Sequence, residues 1–330
     1  MAALPVARRV LGWLLHAHEA TGGRGFAAYR RLLPFRRPRW GPPYPEVSGY
    51  LIPTLLRYDE LFPHLRLAEK AESTARWIGR LQRPEGALPG GTGEAGPPSV
   101  FNTGMMLLGL TAAARRFDDS AFPEAAARAA QWLLQNYQPR AEPTYFARVV
   151  GALLQAQHLL NDPAIPPFAR QALDELLARR TQAGSFRAWG FGGSDTAFTH
   201  TLLYSLRGLW ASSLLLEHPQ GLEAVQQAVH RLLRDYSARG RLAGRYDTRW
   251  QGDYSFRCLT GEAQLAVLLL RMPAYRPTAR RLLQGIPVAR NGGIAGSAPL
   301  WGAYQPFRQL SWAAKFFLDG HAAGLGPPKH

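Results

Sequence analysis

Polar and aromatic residues gather where apolar helical segments begin, and their types are those that bind and transform sugars. In chain order they are Tyr44, Glu46 and Tyr50; Asn102 and Thr103; Tyr145 and Arg148; Asp195, His200 and Tyr204; Tyr254, Thr260, Glu262 and Gln264; and Trp301, Tyr304, Trp312 and Lys315. Rings offer flat apolar faces for stacking, and amides, hydroxyls and charges pair with hydroxyl groups. His200 is a candidate general base or acid, because an unperturbed imidazole titrates near neutrality. Tyr254 is a second proton mover, and Glu262 a carboxylate at the head of an apolar helix. Arg148 opens an otherwise apolar segment, where its planar fork suits a carboxylate or phosphate. The other fourteen are expected to bind substrate. Each residue alone also reads as ordinary packing or capping, so their recurrence carries the functional reading.

Several chemistries are set aside by motif. There is no HExxH and no paired CxxC, and His16 and His18 lie two apart, off a common helix face, so neither metal nor cofactor is expected. Gly90-Gly91-Thr92-Gly93 lacks the lysine of a phosphate loop, and Gly192-Gly193-Ser194-Asp195 lacks the strand of a nucleophile elbow. The arginines are dispersed through helices instead of forming a basic stripe, which argues against nucleic acid.

The chain that must position these residues has 330 of them, 46% apolar and 19% charged, enough for one large core. Its single cysteine, Cys258, rules out an intrachain disulfide and points to a cytoplasmic address. The apolar run Val10 to Leu15 is cut short by His16, His18 and Glu19, so it reads as a first amphipathic helix and not as a signal peptide. No run is long enough to span a bilayer, leaving peripheral membrane association as the most a membrane role allows. The net charge of +16, with three lysines among 39 basic residues, is either solvated surface or a field that concentrates an anionic partner.

Apolar-periodic segments alternate with Gly, Pro and aromatic-rich connections and predict twelve helices: 4–18, 49–61, 64–82, 99–116, 121–137, 145–160, 166–181, 197–217, 220–238, 258–272, 275–284 and 310–322. Within each pair the first helix is amphipathic and the second more apolar, as concentric rings require. The fold class is therefore all-α, an (α/α)6 toroid formed as one domain over 1–323, with a frayed tail at 324–330. Glycine-containing turns recur after outer helices, at Gln82 to Gly91, Thr181 to Phe186 and Ala238 to Leu242, where they suit a left-handed helix C-terminus. Arg30 to Pro45 interleaves five arginines with prolines and should be an extended loop. It is expected to fold over the rim and bring Tyr44 and Glu46 to the site.

Five motifs carry a family resemblance: Pro45-Glu46-Val47-Ser48-Gly49-Tyr50 running to Leu56, Phe101-Asn102-Thr103-Gly104, Thr199-His200-Thr201, Cys258-Leu259-Thr260-Gly261-Glu262-Ala263-Gln264, and Trp312-Ala313-Ala314-Lys315-Phe316-Phe317. They resemble bacterial polysaccharide biosynthesis proteins of exopolysaccharide clusters, with a terpenoid-cyclase-like toroid, from about Gly22 to Leu318. The sequence departs from that pattern at Glu262, where the family tends to have Asn, and at Phe146 and Ala147, where it tends to have Asn and Thr. A weaker likeness links Thr260 to Gln264 and the helix that follows to glucuronyl C5-epimerases. The resemblance implies a fold and a polysaccharide setting, not a reaction.

The leading expectation is an enzyme acting on a uronic-acid-containing glycan by proton abstraction, an epimerase or a lyase, with Arg148 and Asn102 neutralising the sugar carboxylate. The partner is an anionic glycan or a lipid-linked oligosaccharide. The alternatives are a glycoside hydrolase with paired carboxylates drawn from Glu46, Asp195, Asp253 and Glu262, a non-catalytic glycan or lipid-linked-sugar binding protein, and a terpenoid-cyclase-like enzyme. Against the last, Phe117-Asp118-Asp119 falls at the far end of an inner helix.

Overall fold

The computed structural model describes residues 3–323; the proposed frayed tail at 324–330 lies outside the described residues. Twelve α-helices stand among them: α1 (Ala3–Glu19), α2 (Pro45–Asp59), α3 (Leu67–Leu81), α4 (Val100–Arg116), α5 (Ala121–Asn136), α6 (Ala147–Leu160), α7 (Ile165–Leu177), α8 (Thr199–Leu215), α9 (Pro219–Arg239), α10 (Leu259–Leu269), α11 (Arg276–Gln284) and α12 (Ser311–Ala322). The even-numbered helices pack side by side in a closed ring, α12 returning to α2, and the odd-numbered ones surround it. This is the (α/α)6 toroid.

Burial explains which helix takes which ring. On α3 the buried residues are Leu67, Ala71, Thr74, Ala75, Trp77 and Ile78, and charged residues such as Glu69, Glu72, Arg76 and Arg80 lie on the remaining face. On α10 every residue from Leu259 to Leu269 is buried, so no face is left for water. Glycines set how closely the inner helices approach. A Cβ on Gly49 would lie 2.6 Å from the Cα of Met106, and one on Gly109 2.4 Å from the carbonyl oxygen of Gly49. Gly208 against Ala147 and Gly261 against Thr199 repeat the contact around the ring.

Eight short strands join the loops at the N-terminal end of the inner ring. β1 (Tyr29–Arg31) pairs antiparallel with β2 (Arg39–Trp40) and with β8 (Arg308–Leu310). β3 (Ala197–Phe198), β4 (Arg245–Tyr246) and β5 (Gly252–Asp253) form a second sheet, and β6 (Arg257–Cys258) pairs with β7 (Ser297–Ala298). An all-helical reading misses them because each has only two or three residues, too few for alternation to show.

The repeated turns need correction. Gly86 and Gly184 have positive φ, but each closes a five-residue turn beyond its helix, with Arg83 N–H bonding Ala87 O and Thr181 N–H bonding Ser185 O. The same turn recurs at Gly190 to Ser194, at Asp247 to Gln251 and, after α11, at Ala289 to Gly293 with Gly292 at φ 88°, but not at Ala238 to Leu242. Gly240 instead ends α9 in the left-handed conformation. The first inner helix also begins earlier than expected, at Pro45, because proline is tolerated in a first turn where its missing N–H has no helical partner.

Candidate functional site

A cavity of about 390 Å³ opens among the N-termini of the inner helices. Glu46 reaches it from the first turn of α2, Asn102 from α4, His200 and Tyr204 from α8, Trp312 from α12, and Tyr44, Tyr145 and Tyr304 from the connections. Glu46 is 6% exposed and is the only carboxylate in the lining among the described residues. The Tyr44 hydroxyl donates to its Oε2 at 2.5 Å. Burial pushes the Glu46 carboxyl up to about 7, and the Tyr44 hydrogen bond and the charge of Arg148 oppose that rise without cancelling it.

Aromatic rings complete the wall. Tyr44 meets Trp312 edge-on at 5.9 Å, Trp312 Nε1 donates to the Tyr304 hydroxyl at 2.9 Å, and the Tyr304 ring lies 5.3 Å from His200. On the other side Phe101 touches Tyr145 at 5.0 Å and Tyr204 at 5.6 Å, while Phe191, half exposed, borders the mouth. The Tyr50 and Tyr204 hydroxyls approach within 3.4 Å. Burial raises the pKa of Tyr44, Tyr50, Tyr145, Tyr204 and Tyr304, so their hydroxyls stay protonated as donors.

His200 has the opposite fate. Gln264 Nε2 donates to its Nδ1 at 2.8 Å and to its carbonyl oxygen at 3.2 Å. An Nδ1 that accepts leaves the proton on Nε2, so the neutral ring has a donor and no basic lone pair to offer. Burial, with help from Arg207 and Arg148, lowers its pKa to about 3. The expected general base at His200 is therefore replaced by a neutral hydrogen-bond donor, and the lining group poised near neutrality is Glu46.

Other expected residues lie elsewhere. Glu262 is buried in a bidentate pair with Arg257, at 2.8 Å and 2.5 Å, and does not line the cavity. Tyr254 turns outward, its hydroxyl on Asp235 of α9 and its ring under Arg239. Arg148 lies over the Tyr204 ring at 5.7 Å, outside the lining and without an ion pair among the described residues. Asp195 is an exposed loop residue that accepts from Ala188 N at 2.7 Å. Thr103 fastens a connection by accepting from Leu88 N at 3.0 Å, and the Thr260 hydroxyl is buried without a partner. Trp301 is 68% exposed and outside the cavity. Lys315 sits deeper, 2.5 Å from Asp319, and burial lowers its pKa to about 8.

The segment from Arg30 to Pro45 is half as expected. Its base is pinned to β8, and its flanks Ala28, Tyr29 and Tyr44 line the cavity, but Arg36, Arg37 and Phe35 at the tip are exposed away from the lining. Arg308 and Gln305, overlooked in the sequence, also line the cavity. Arg308 Nη1 donates to Gln305 Oε1 at 2.6 Å, and its guanidinium lies 4.3 Å from the centroid of Tyr29. Their signal was available: they stand in the loop before the last inner helix, as the other lining residues stand before theirs. No group of three or more His, Cys, Asp or Glu that could hold a metal occurs among the described residues.

Neither a protein-family model nor a curated protein matches this sequence. Solved structures do match in fold. A heparin-specific unsaturated glucuronyl hydrolase superposes with a TM-score of 0.74 at 14% identity, over 97% of this chain and 96% of that one. The unsaturated glucuronyl hydrolase of Bacillus sp. GL1 gives 0.72 at 15%, over 97% and 95%. That of Streptococcus agalactiae gives 0.69 at 12%, over 98% and 91%. Mutant forms of such enzymes have been solved with dGlcA-Glc-Rha-Glc and with dGlcA-GalNAc6S. At these identities the likeness establishes the toroid, which this chain shares with carbohydrate-active enzymes.

Proposed function

We propose that this chain is a carbohydrate-active enzyme that hydrolyses a glycan ending in an unsaturated uronic acid, with Glu46 as its acid and base. The observation that carries the reading is the solitary carboxyl in an aromatic cavity, with a pKa of about 7. Paired-carboxylate hydrolysis needs a second carboxylate across the cavity. Glu262 is bound to Arg257, Asp253 to Arg245 and Asp195 to a backbone N–H. C5 epimerisation removes a proton on one face and returns it on the other, whereas Tyr44 and Glu46 are bonded to each other on one side.

An unsaturated uronyl end asks for less. It carries an enol ether, and protonation of the double-bond carbon C4 with addition of water at C5 gives a hemiketal. Opening of the hemiketal breaks the C5–O5 bond and leaves a ketone at C5 and a hemiacetal at C1, whose collapse to the C1 aldehyde expels the neighbouring sugar. One group can give the proton and take one back from the attacking water, and a carboxyl titrating near neutrality is matched to that task. Arg308, which has no ion pair among the described residues, would hold the sugar carboxylate, and the rings of Tyr145, Tyr204 and Trp312 would stack on the sugar faces. The fold likeness and the anionic ligands of those hydrolases support this reading. A role in exopolysaccharide metabolism, a cytoplasmic address and a lipid-linked form of the glycan belong to the proposal. No helix among the described residues is long and apolar enough to cross a membrane. Cyclase chemistry is disfavoured because Asp119 is engaged with Arg76 and Ala121 N beyond the far end of α4.

Incubation with uronyl-ended di- and tetrasaccharides in deuterated water tests the reading. Hydration places deuterium at C4 and removes the ultraviolet absorbance of the conjugated double bond. Deuterium at C5 would instead return the epimerase reading, and binding without turnover across the panel would leave a glycan-binding protein.

A further inference from the structure

On the inner helices α6, α8 and α12, the cations Arg148, Arg207 and Lys315 gather near one another, with the carboxylate of Asp319 beside Lys315 and Arg207. Lys315 holds Asp319 Oδ2 at 2.5 Å, and Thr54 Oγ1 donates to the other oxygen, Oδ1, at 2.7 Å, so Asp319 is committed. Arg148 of α6 and Arg207 of α8 have no ion pair among the described residues. Arg148 Nε is buried with no hydrogen-bond partner, and among the described residues the side chain of Arg207 makes one hydrogen bond, a long 3.5 Å contact to Gln264 Oε1. The arrangement is compact. Arg148 lies 5.7 Å from the Tyr204 centroid and Arg207 4.8 Å from that of Phe316, while these two rings meet edge to face at 5.7 Å. Lys315 Nζ lies 4.7 Å from the same Phe316 ring.

Such a cluster is costly as it stands. A cation over a ring gains about 0.5 to 2 kcal/mol, whereas taking a charge out of water costs several kcal/mol unless an opposite charge accompanies it. Both arginines are partly buried; burial and the charge of Arg148 lower the Arg207 pKa to about 9 against the opposing charge of Asp319, which still leaves Arg207 charged at neutral pH. Asp319 and Glu46 act on the two arginines through their charge, but neither forms an ion pair with them among the described residues, so what the guanidiniums lack is an oxygen partner. Guanidinium forks select planar or tetrahedral oxygens, which they bind through paired N–H donors.

We propose that Arg148 and Arg207 form a binding site for a small oxyanion inside the toroid, beneath Tyr204 and distinct from the sugar cavity, which neither arginine lines. The ligand is a phosphate- or sulfate-type group, free or carried on a sugar. The site is separate from the reaction assigned to Glu46, but Arg148 also acts on the Glu46 carboxyl through its charge, so the test reads anion binding and not turnover.

Thermal unfolding and calorimetric titration of the full chain with inorganic sulfate and phosphate, at ionic strength held constant with chloride, test it. Saturable stabilisation is expected in the wild type and in an Arg36→Gln, Arg37→Gln control, whose arginines are exposed at the loop tip. It should be lost in Arg207→Met and in Arg148→Met. In anion-poor buffer Arg207→Met should melt no lower than the wild type, because it removes a buried like charge. An Arg207→Met protein that responds as the wild type does, or stabilisation that rises without saturating as general salt exclusion predicts, would overturn the site. If Arg207→Met does not fold, Arg207→Lys decides: it keeps the charge but loses the fork, so binding should weaken about tenfold or more, and unchanged affinity refutes the proposal. A sugar phosphate or sulfate that binds more tightly than the inorganic ion identifies a glycan-borne group, and the reverse order a free ion.

Discussion

Replacing Glu46 by Gln keeps the side chain's shape and leaves an oxygen to accept from Tyr44, but removes a titrating group whose buried pKa is about 7 against an ordinary value of 4.5. A raised folded pKa means that the protonated carboxyl is the stable form in the native protein. Its stability is fully present below pH 4.5 and declines as pH rises toward 7. The difference of 2.5 pKa units, at 1.36 kcal/mol each, amounts to about 3 kcal/mol. Glu46→Gln should therefore match the wild type near pH 4 and exceed it by roughly 3 kcal/mol above pH 7, a rise of about 4 °C in Tm for a chain of this length. Thermal unfolding of both proteins from pH 4 to 9 measures it. Turnover supplies the second limb: wild-type kcat/KM should fall about tenfold per pH unit above 7 as the acid form is lost, and the variant should be inactive while folded. A stability difference that stays flat across pH 4.5 to 8 would refute the burial argument and with it the assignment of Glu46 as an acid.

Other changes give separate checks. Tyr44→Phe removes a hydrogen bond that lowers the Glu46 pKa, so the alkaline limb of the pH profile should move to higher pH. Arg308→Met should raise KM by roughly 10- to 100-fold with a smaller effect on kcat, the scale of about 1.5 to 3 kcal/mol for a charged hydrogen bond, as initial-rate kinetics would record. Glu262→Ala should cost about 3 kcal/mol of stability by stranding Arg257, whereas Tyr254→Phe should leave turnover unchanged; chemical denaturation and kinetics separate the two. Gly49→Ala should destabilise by roughly 1 to 3 kcal/mol or prevent folding, because its methyl would meet the Met106 backbone at 2.6 Å, and calorimetry measures the loss.

The sequence alone determined the toroid. Amphipathic and wholly apolar helices alternate, as in α3 and α10, and each demands a different environment: one needs a face to water and the other must be enclosed. It also located the chemistry at the starts of the inner helices, which put Tyr44, Glu46, Asn102, His200 and Trp312 in one cavity. Tertiary structure decided the roles within that set. Spacing along the chain could not reveal that Gln264, 64 residues away, takes the Nδ1 of His200, or that Arg257 closes on Glu262. Nor could it reveal that Tyr254 finds Asp235 on an outer helix while Glu46 forms no ion pair among the described residues. A titrating group answers to whatever charge, hydrogen bond and water surround it, and around a ring those neighbours arrive from segments far apart in the chain. The sequence listed which groups could move a proton; only the closure of the ring left Glu46 as the carboxyl that can do so near neutral pH.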